Sequence, residues 1–336
     1  MQSGKIPLDL LKNILKKYTI LDPRVIIGPK VGEDAAVIDP GRGSKHYWVA
    51  TSDPVTFTTE EIGYYGVVVN LNDIATRGAI PRWFLATLLF PEGRSDQRII
   101  HKTFRQIHEA CRRFNISFIG GHTEITPNLD RVILSGHMIG EVKKENLVHT
   151  GGARAGDLLL MAKGVCIEGS SIIAREKEVH LLSRGYSPSF IRRVKNFIFK
   201  PGIDVLQAAQ IACRSAPIHS MHDPTEGGLI NAIVEMAIAS EKEFEVDIQE
   251  VFIYDESKTL CAEFGIDPLR TIASGSLLLT LSPEDLPTLQ KAFQKASIPI
   301  RVIGRVKQGP ARALAVEGRK KRQLKPVPRD EILEIY

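Results

Sequence analysis

Glu60-Glu61-Ile62-Gly63-Tyr64-Tyr65-Gly66-Val67-Val68-Val69-Asn70-Leu71-Asn72-Asp73-Ile74-Ala75-Thr76-Arg77 is the stretch on which the fold turns. Val67, Val68, Val69, Leu71, Ile74 and Ala75 leave little of a helix's circumference for water. The spacing therefore predicts a long, mostly buried helix over 60–77, entered through Thr58-Thr59 and closed by Gly78. Yet Gly66, Asn70, Asp73 and Arg77 recur four, three and four positions apart, which lines them up as one polar stripe. An amide, a carboxylate and a guanidinium in line suit a ligand that carries a metal and phosphates. Asp73 would hold the metal, Arg77 would pair with an anion, and Gly66 would admit a neighbouring backbone. A structural Asp73–Arg77 pair across one helical turn explains two of the four equally well.

Short apolar runs at 35–38 and 47–51 lie before this helix, and a strand over 83–90 follows it. A second helix is expected over 97–114, with a charged outer face. Strands over 116–119 and 131–141 come next. Strict β-α-β alternation is absent, so the pattern argues for an α+β sheet with helices on one side rather than a Rossmann fold. An amphipathic helix over 7–18 places Leu8, Leu11, Ile14, Leu15 and Tyr18 on one face. The glycine-rich stretch Thr150-Gly151-Gly152-Ala153-Arg154-Ala155-Gly156-Asp157 divides the chain into domains 1–150 and 151–336. The second domain reads as a strand over 158–162, helices to about 213, a strand over 218–221 and a helix over 225–239. Further strands fall over 276–281, 301–306 and 312–316.

The bulk properties are those of an ordinary globular chain: 336 residues, 43% hydrophobic and 25% charged, room for two cores. The formal net charge of +5 is modest. The basic run Arg319-Lys320-Lys321-Arg322 has no interleaved aromatics and reads as a solvated loop rather than a nucleic-acid patch. Four cysteines, Cys111, Cys166, Cys213 and Cys261, form no C-x-x-C site; Cys111 and Cys213 are expected to be buried. No signal-peptide core and no membrane-length apolar run is present, so a cytoplasmic location is expected, without membrane or nucleic-acid partners.

Three more motifs set carboxylates among small or apolar residues. Gly32-Glu33-Asp34-Ala35 precedes a strand, and reads either as ligand carboxylates on a tight turn or as a turn with solvated acids. Asp53 ends a strand before Pro54, and a strand-to-turn capping role competes with metal binding. Gly120-Gly121-His122-Thr123-Glu124 follows a strand. Its glycines would bring N–H groups to a phosphate, and Glu124 offers a hard oxygen ligand. His122 is open between phosphate donor, general base and turn residue, and is no magnesium ligand. In the second domain, Asp223-Pro224-Thr225-Glu226 reads as a capping box opening a helix. Gly227 and Gly228 weaken that helix but would bare N–H groups to an anion. Val165-Cys166-Ile167-Glu168-Gly169-Ser170-Ser171 opens another helix, either as an anion loop or as a plain cap. The loop Ala273-Ser274-Gly275-Ser276 would line a pocket or make a turn.

In their order these motifs resemble the superfamily of ATP-dependent enzymes containing aminoimidazole ribonucleotide (AIR) synthetase, thiamine-monophosphate kinase, selenophosphate synthetase and HypE. Gly32 to Ile38 is similar to its G-D-D-A-A-V-I, and Asn70 to Pro81 to its N-x-x-D-I-x-x-x-G-A-x-P. Gly120 to Glu124 is similar to its G-G-D/E-T, His222 to Gly228 to D-A-T-R-G-G, and Gly4-Lys5 to its glycine-bearing N-terminus. The resemblance implies an AIR-synthase-like α+β fold. Its N-terminal α/β sheet domain would pair into a homodimer, and its C-terminal domain would be an α+β sandwich. It implies ATP held through Mg²⁺, with Asp34, Asp53 and Asp73 as metal ligands and Glu124 substituting where His122 replaces the usual acid. Gly4, Lys5, Asn70, Gly120, Gly121, Thr123, Asp223, Gly227 and Gly228 would bind the nucleotide, with His122 and Arg77 as catalytic groups. The implied reaction transfers ATP's terminal phosphate to an acceptor oxygen, followed in the HypE branch by loss of that oxygen. Ile167 to Arg175 looks most like HypE relatives, and the kinase loop G-G-E-D-Y-E is missing. HypE acts on its own terminal cysteine; the last cysteine here is Cys261, so that reaction is not expected at this chain's end. The alternatives are a small-molecule kinase and a non-catalytic nucleotide-binding partner in a maturation complex.

Overall fold

The computed structural model describes residues 4–17, 20–56 and 60–336, apart from the side chain of Asp9. Tyr18 and the Thr58-Thr59 helix entry fall outside them. Two compact units result. One comprises Ile20–Gly28 and Asp34–Leu147; the other comprises Met1–Thr19, Pro29–Glu33 and Val148–Tyr336. The start of the chain thus groups with its C-terminal half. Leu8, on the first helix, α1 (Leu8–Leu15), packs against that half's core. Lys30 Nζ donates to the Ala239 carbonyl at 3.4 Å.

The first unit is a six-stranded sheet. Its elements run β1 (Val25–Ile27), β2 (Ala36–Ile38), β3 (His46–Val55), α2 (Ile62–Thr76), β4 (Ile80–Pro91), α3 (Gln97–Arg113), β5 (Ser117–Thr126) and β6 (Ile133–Lys143). The strand order is β1-β2-β3-β6-β4-β5, antiparallel except for β4 and β5, which α3 connects as parallel neighbours. α2 is as buried as its composition demands: Val67, Val68, Leu71 and Ile74 are fully enclosed, each stabilising by about 1.5–3 kcal/mol. The helix ends on Gly78 at φ +71°, a left-handed stop that glycine adopts without strain. α3 packs on α2 through a close approach at Gly63, where a Cβ would lie 2.6 Å from the Thr103 carbonyl. Among the described residues of this unit, no helix lies on the sheet's other face. Trp83, Leu85, Leu89, Ile133 and Ile139 are half-buried there, and Trp48 is 46% exposed.

The second unit is a mixed seven-stranded sheet. After α1 come β7 (Leu158–Ala162), α4 (Ile167–Glu176), α5 (Glu178–Ser183), α6 (Pro188–Lys195), α7 (Leu206–Ser215), β8 (Ser220–His222), α8 (Gly228–Ser240) and β9 (Glu243–Asp247). These are followed by α9 (Asp255–Phe264), β10 (Leu277–Leu281), α10 (Leu286–Lys295), β11 (Ile300–Lys307), β12 (Arg312–Glu317) and β13 (Lys320–Leu324). The order is β13-β12-β9-β11-β7-β10-β8, with only β9 and β12 parallel. β7 and β10 are buried along their whole length, and α8 is enclosed on nearly every side. The basic run over 319–322 is not a loop. Gly318 turns the chain at φ +60°, and Lys320, Lys321 and Arg322 extend as the exposed edge strand β13, where charge discourages further pairing. Cys111 is buried as expected, whereas Cys213 is half-buried. No helix among the described residues is long and apolar enough to cross a membrane.

Candidate functional site

In the first unit α2 and β3 bring three of the sequence-selected residues together. β3 alternates, so Thr51 and Asp53 share the face of Val49 and Val55 that looks onto α2. Thr51 Oγ1 lies 2.6 Å from Asp73 Oδ2 and 3.0 Å from the Asp34 carbonyl, and its single proton serves one of them at a time. Arg77, wholly buried as the C-cap of α2, reaches Asp34: Nη2 to Oδ2 is 3.1 Å. Asp34, Thr51, Asp73 and Arg77 therefore form one oxygen-rich constellation with a single cation in it.

Asn70 has a role in holding the fold. Its amide accepts from Asp53 N at 3.0 Å and donates to the carbonyls of Asp53 at 3.2 Å and Gly66 at 2.8 Å. The side chain thereby clamps β3 onto α2 and fixes Asp53 within the strand, which runs two residues beyond it. Gly66 does not meet a backbone of another element through its own missing side chain. Its Cα faces the Leu134 side chain, while Gly136 of β6 is the glycine that lets the Gly66 carbonyl come close, 2.9 Å from where a Cβ would stand.

Gly120, Gly121, His122, Thr123 and Glu124 are not a loop. They are the middle of β5, an edge strand of the sheet. Gly121 sits at φ +141° against β4, where a Cβ would strike the Ala86 carbonyl, so strand packing requires this glycine. His122 Nε2 lies 2.9 Å from Glu124 Oε2, and Thr126 Oγ1 donates to Glu124 Oε1 at 2.9 Å. The His122 and Thr126 hydrogen bonds hold the Glu124 carboxyl below its ordinary range. Both side chains are exposed and register beside Thr87 and Leu89 of β4, on the sheet face that carries no helix. Among the described residues no hydrogen bond or ion pair ties them to Asp34, Asp53, Asp73 or Arg77.

In the second unit the expected capping box does not form. α8 begins at Gly228, with Gly227 at φ +81° as its N-cap and no side-chain cap, so Asp223, Pro224, Thr225 and Glu226 belong to the loop before it. Glu226 turns to the chain's start: Oε1 accepts from Lys5 N at 3.0 Å and would lie 2.8 Å from a Cβ on Gly4. Lys5 Nζ reaches Thr225 Oγ1 at 3.3 Å and Glu235 Oε1 at 3.5 Å. The two glycines have a structural reason after all. A Cβ on Gly228 would sit 2.6 Å from the Leu269 carbonyl and 2.7 Å from that of Thr271. Moreover, the anion at this helix entry is the chain's own: Asp330 Oδ2 accepts from Gly227 N at 2.6 Å.

Four more groups lie near these positions: the sequence offered Glu33 as a ligand carboxylate and gave no role of their own to His222, Asp330 and Glu168. Glu33 accepts from Thr150 N and Gly151 N, both at 3.4 Å. His222 is buried and bonded through Nε2 to Glu235 Oε2 at 2.9 Å. Asp330 also accepts from Ile332 N at 2.8 Å and Ile272 N at 3.2 Å; burial nevertheless pushes its carboxyl up to about 6. Glu168 is likewise buried, with Oε2 lacking any hydrogen-bond partner among the described residues. Desolvation pushes it up to about 7 against the bonds it receives from Ser274. Of their pairings only that with Glu235 carried a signal, since Glu235 lies on the turn of α8 that its apolar neighbours bury. The other three depend on partners more than fifty residues distant.

Comparison with known proteins follows this geometry. The model of the AIR synthase related protein N-terminal domain matches residues 32–142, and that of the C-terminal domain matches residues 154–317. The chain is 28% identical to a Methanocaldococcus jannaschii protein described as a hydrogenase expression/formation protein, over 84% of this chain and 81% of that one. It is 25% identical to the carbamoyl dehydratase HypE of Rhizobium leguminosarum bv. viciae, over 69% and 63% respectively. It is likewise 25% identical to the thiamine-monophosphate kinase of Bacillus subtilis, over 89% and 91%. Among solved structures, HypE in complex with ATP superposes with a TM-score of 0.68 at 20% identity, covering 96% of this chain and 91% of that one. ThiL complexed with AMPPCP and TMP gives 0.70 at 19%, covering 94% of each. At such identities the structural likeness establishes the fold.

Proposed function

Because the chain belongs to the AIR synthase related family, with both of its domains present, we propose that it is an ATP-dependent enzyme that phosphorylates an acceptor oxygen. The observation that carries this reading is the Asp34–Thr51–Asp73–Arg77 constellation in the first unit. Its donors are all hard oxygens, the kind Mg²⁺ prefers. Asp34, Asp53 and Asp73 against Arg77 leave a formal surplus of two negative charges, which one divalent cation balances. Magnesium, when bound, would offset phosphate charge and orient the transfer. Asp34, Asp53 and Asp73 are its ligands in this reading, whereas Glu124 lies on the other face of the sheet. Thr51 keeps Asp73 in place, and Asn70 keeps Asp53 in place. Arg77 holds Asp34 and, on nucleotide binding, is the nearest fixed cation for phosphate oxygens. His122, Gly120, Gly121 and Thr123 line the β5 edge as candidate nucleotide contacts. Gly4, Lys5, Asp223, Gly227 and Gly228 stand as such contacts in the second unit.

Relatives named for hydrogenase maturation and for carbamoyl dehydration favour a HypE-like role, with loss of the phosphorylated oxygen as the second half of the reaction. A kinase of small molecules is the second reading, favoured by the thiamine-monophosphate kinase match along 89% of the chain. The proposal includes pairing of two copies through the uncovered face of the six-stranded sheet, action in the cytoplasm and a maturation-complex partner. The test is Mg²⁺-dependent ATP turnover, alone and with carbamoylated peptides or thiamine monophosphate as acceptors, beside Mg-ATP affinity by calorimetry. Asp73→Asn is expected to weaken Mg-ATP binding by roughly tenfold or more. Unchanged affinity in that variant would remove Asp73 from the metal site. Tight binding with no turnover on any acceptor would favour a non-catalytic nucleotide-binding role.

A further inference from the structure

α3 carries a concentration of positive charge that its place in the fold does not need. Its inner face is fully used. Thr103, Gln106, Ile107, Ala110 and Cys111 are buried, and Gln106 Oε1 accepts from Gly63 N of α2 at 3.2 Å. The outer face holds Arg98, Lys102, Arg105, Arg112 and Arg113, with Glu109 as the one acid on the helix. Seventeen residues thus carry +4, where the whole 336-residue chain carries +5. His101 and His108 lie in the same row. Arg98 is paired to Asp96 at 2.9 Å and Arg113 lies over the rings of Tyr64 and Phe114. His101, Lys102, Arg105, His108 and Arg112 have no ion pair among the described residues. Like charges at Arg98 and Lys102, or Lys102 and Arg105, weaken a helix where they do anything to it. Charge placed for solubility alone would be mixed.

The shape agrees with the charge. Gln97, Arg98, His101, Lys102 and Arg105 line a shallow, open depression of about 480 Å³. Guanidinium and ammonium groups one helical turn apart present forked and single donors to successive carboxylates. We propose that this face of α3 docks an acidic segment of a partner protein, no longer than the helix itself. Two features favour a polypeptide over a nucleic acid. The basic row is one helix wide. And Phe104 is the one aromatic on α3, half-buried and ringed against Phe118 rather than offered to a base.

The test uses the full chain and a fluorescein-labelled oligoglutamate peptide, followed by anisotropy at low and at physiological salt. Saturable binding that weakens with salt is expected. The combined Arg98→Glu, Lys102→Glu and Arg105→Glu variant should lose at least about tenfold in affinity. Lys320→Glu with Arg322→Glu, on the edge strand β13 of the second unit, should retain it. Should the charge-reversed variant not fold, Arg98→Gln, Lys102→Gln and Arg105→Gln give the same comparison. Absence of peptide binding, equal binding by the α3 variants, or tighter binding to a single-stranded oligonucleotide or to phosphatidylserine vesicles would each overturn the assignment.

Discussion

Asn70 and Glu168 show how much one side chain decides. Asn70 satisfies three backbone groups at once, two of them on Asp53. Asn70→Ala would leave the Asp53 N–H and the Gly66 carbonyl without that partner in a buried place, and a loss of about 2–4 kcal/mol of stability is expected. Urea unfolding reads it directly. Glu168 acts with the opposite sign. Its carboxyl, ordinarily near 4.5, titrates at about 7 in the folded chain, so the native state holds that proton more tightly than the unfolded one. The stability it contributes is complete below about pH 4.5 and declines as the pH rises to about 7. Asp330, raised to about 6, declines over a lower window. Glu168→Gln should therefore flatten the loss of stability between about pH 5 and pH 8, by an amount on the order of a few kcal/mol. Unfolding midpoints across that range that fall equally in both proteins would refute the shift.

At the scale of elements, the outcome depended on how strongly local pattern and packing agree. α2 and β7 were legible because continuous apolar runs can only be buried, and the structure ends them within two residues of the expected positions. β5 was not legible beyond Ile119. A Gly-Gly pair ordinarily signals a turn, whereas here Gly121 is demanded by the carbonyl of Ala86 on the neighbouring strand β4. Gly121→Ala should separate β5 from β4 and lower the melting temperature by several degrees, about 2 kcal/mol or more. Raised hydrogen exchange over 117–126, with the rest of the sheet unchanged, would locate the damage. The α8 entry failed for a similar reason. Asp223 and Glu226 have capping spacing, but a left-handed Gly227 and the approach of residues 269–271 place the helix start at Gly228.

For the whole molecule, the face of the six-stranded sheet that its own unit's helices leave bare is the feature with a consequence. Half-buried Trp83, Leu85, Ile133 and Ile139 beside exposed Trp48 make an apolar face of a kind that single chains seldom leave in water. Pairing of two copies there is expected, and Trp48→Glu or Leu85→Glu should shift sedimentation toward the monomer while leaving the fold's circular dichroism intact. A wild-type chain that sediments as a monomer at micromolar concentration would count against it.

Sequence by itself determined the α+β class, the long helices α2, α3 and α8, most of the strands, and the carboxylates worth attention, while α9, α10 and β9 went unread. Those follow from hydrophobic periodicity and from the expense of setting a charge among apolar residues, both of which are local. Only the tertiary structure decided what each polar group faces. It gave Arg77 to Asp34, Asn70 to the Asp53 backbone, the Gly227 N–H to Asp330, and Glu226 to the start of the chain. Hydrogen bonds reach about 3 Å in space but impose no limit on separation along the chain, so no reading of local pattern could have paired them.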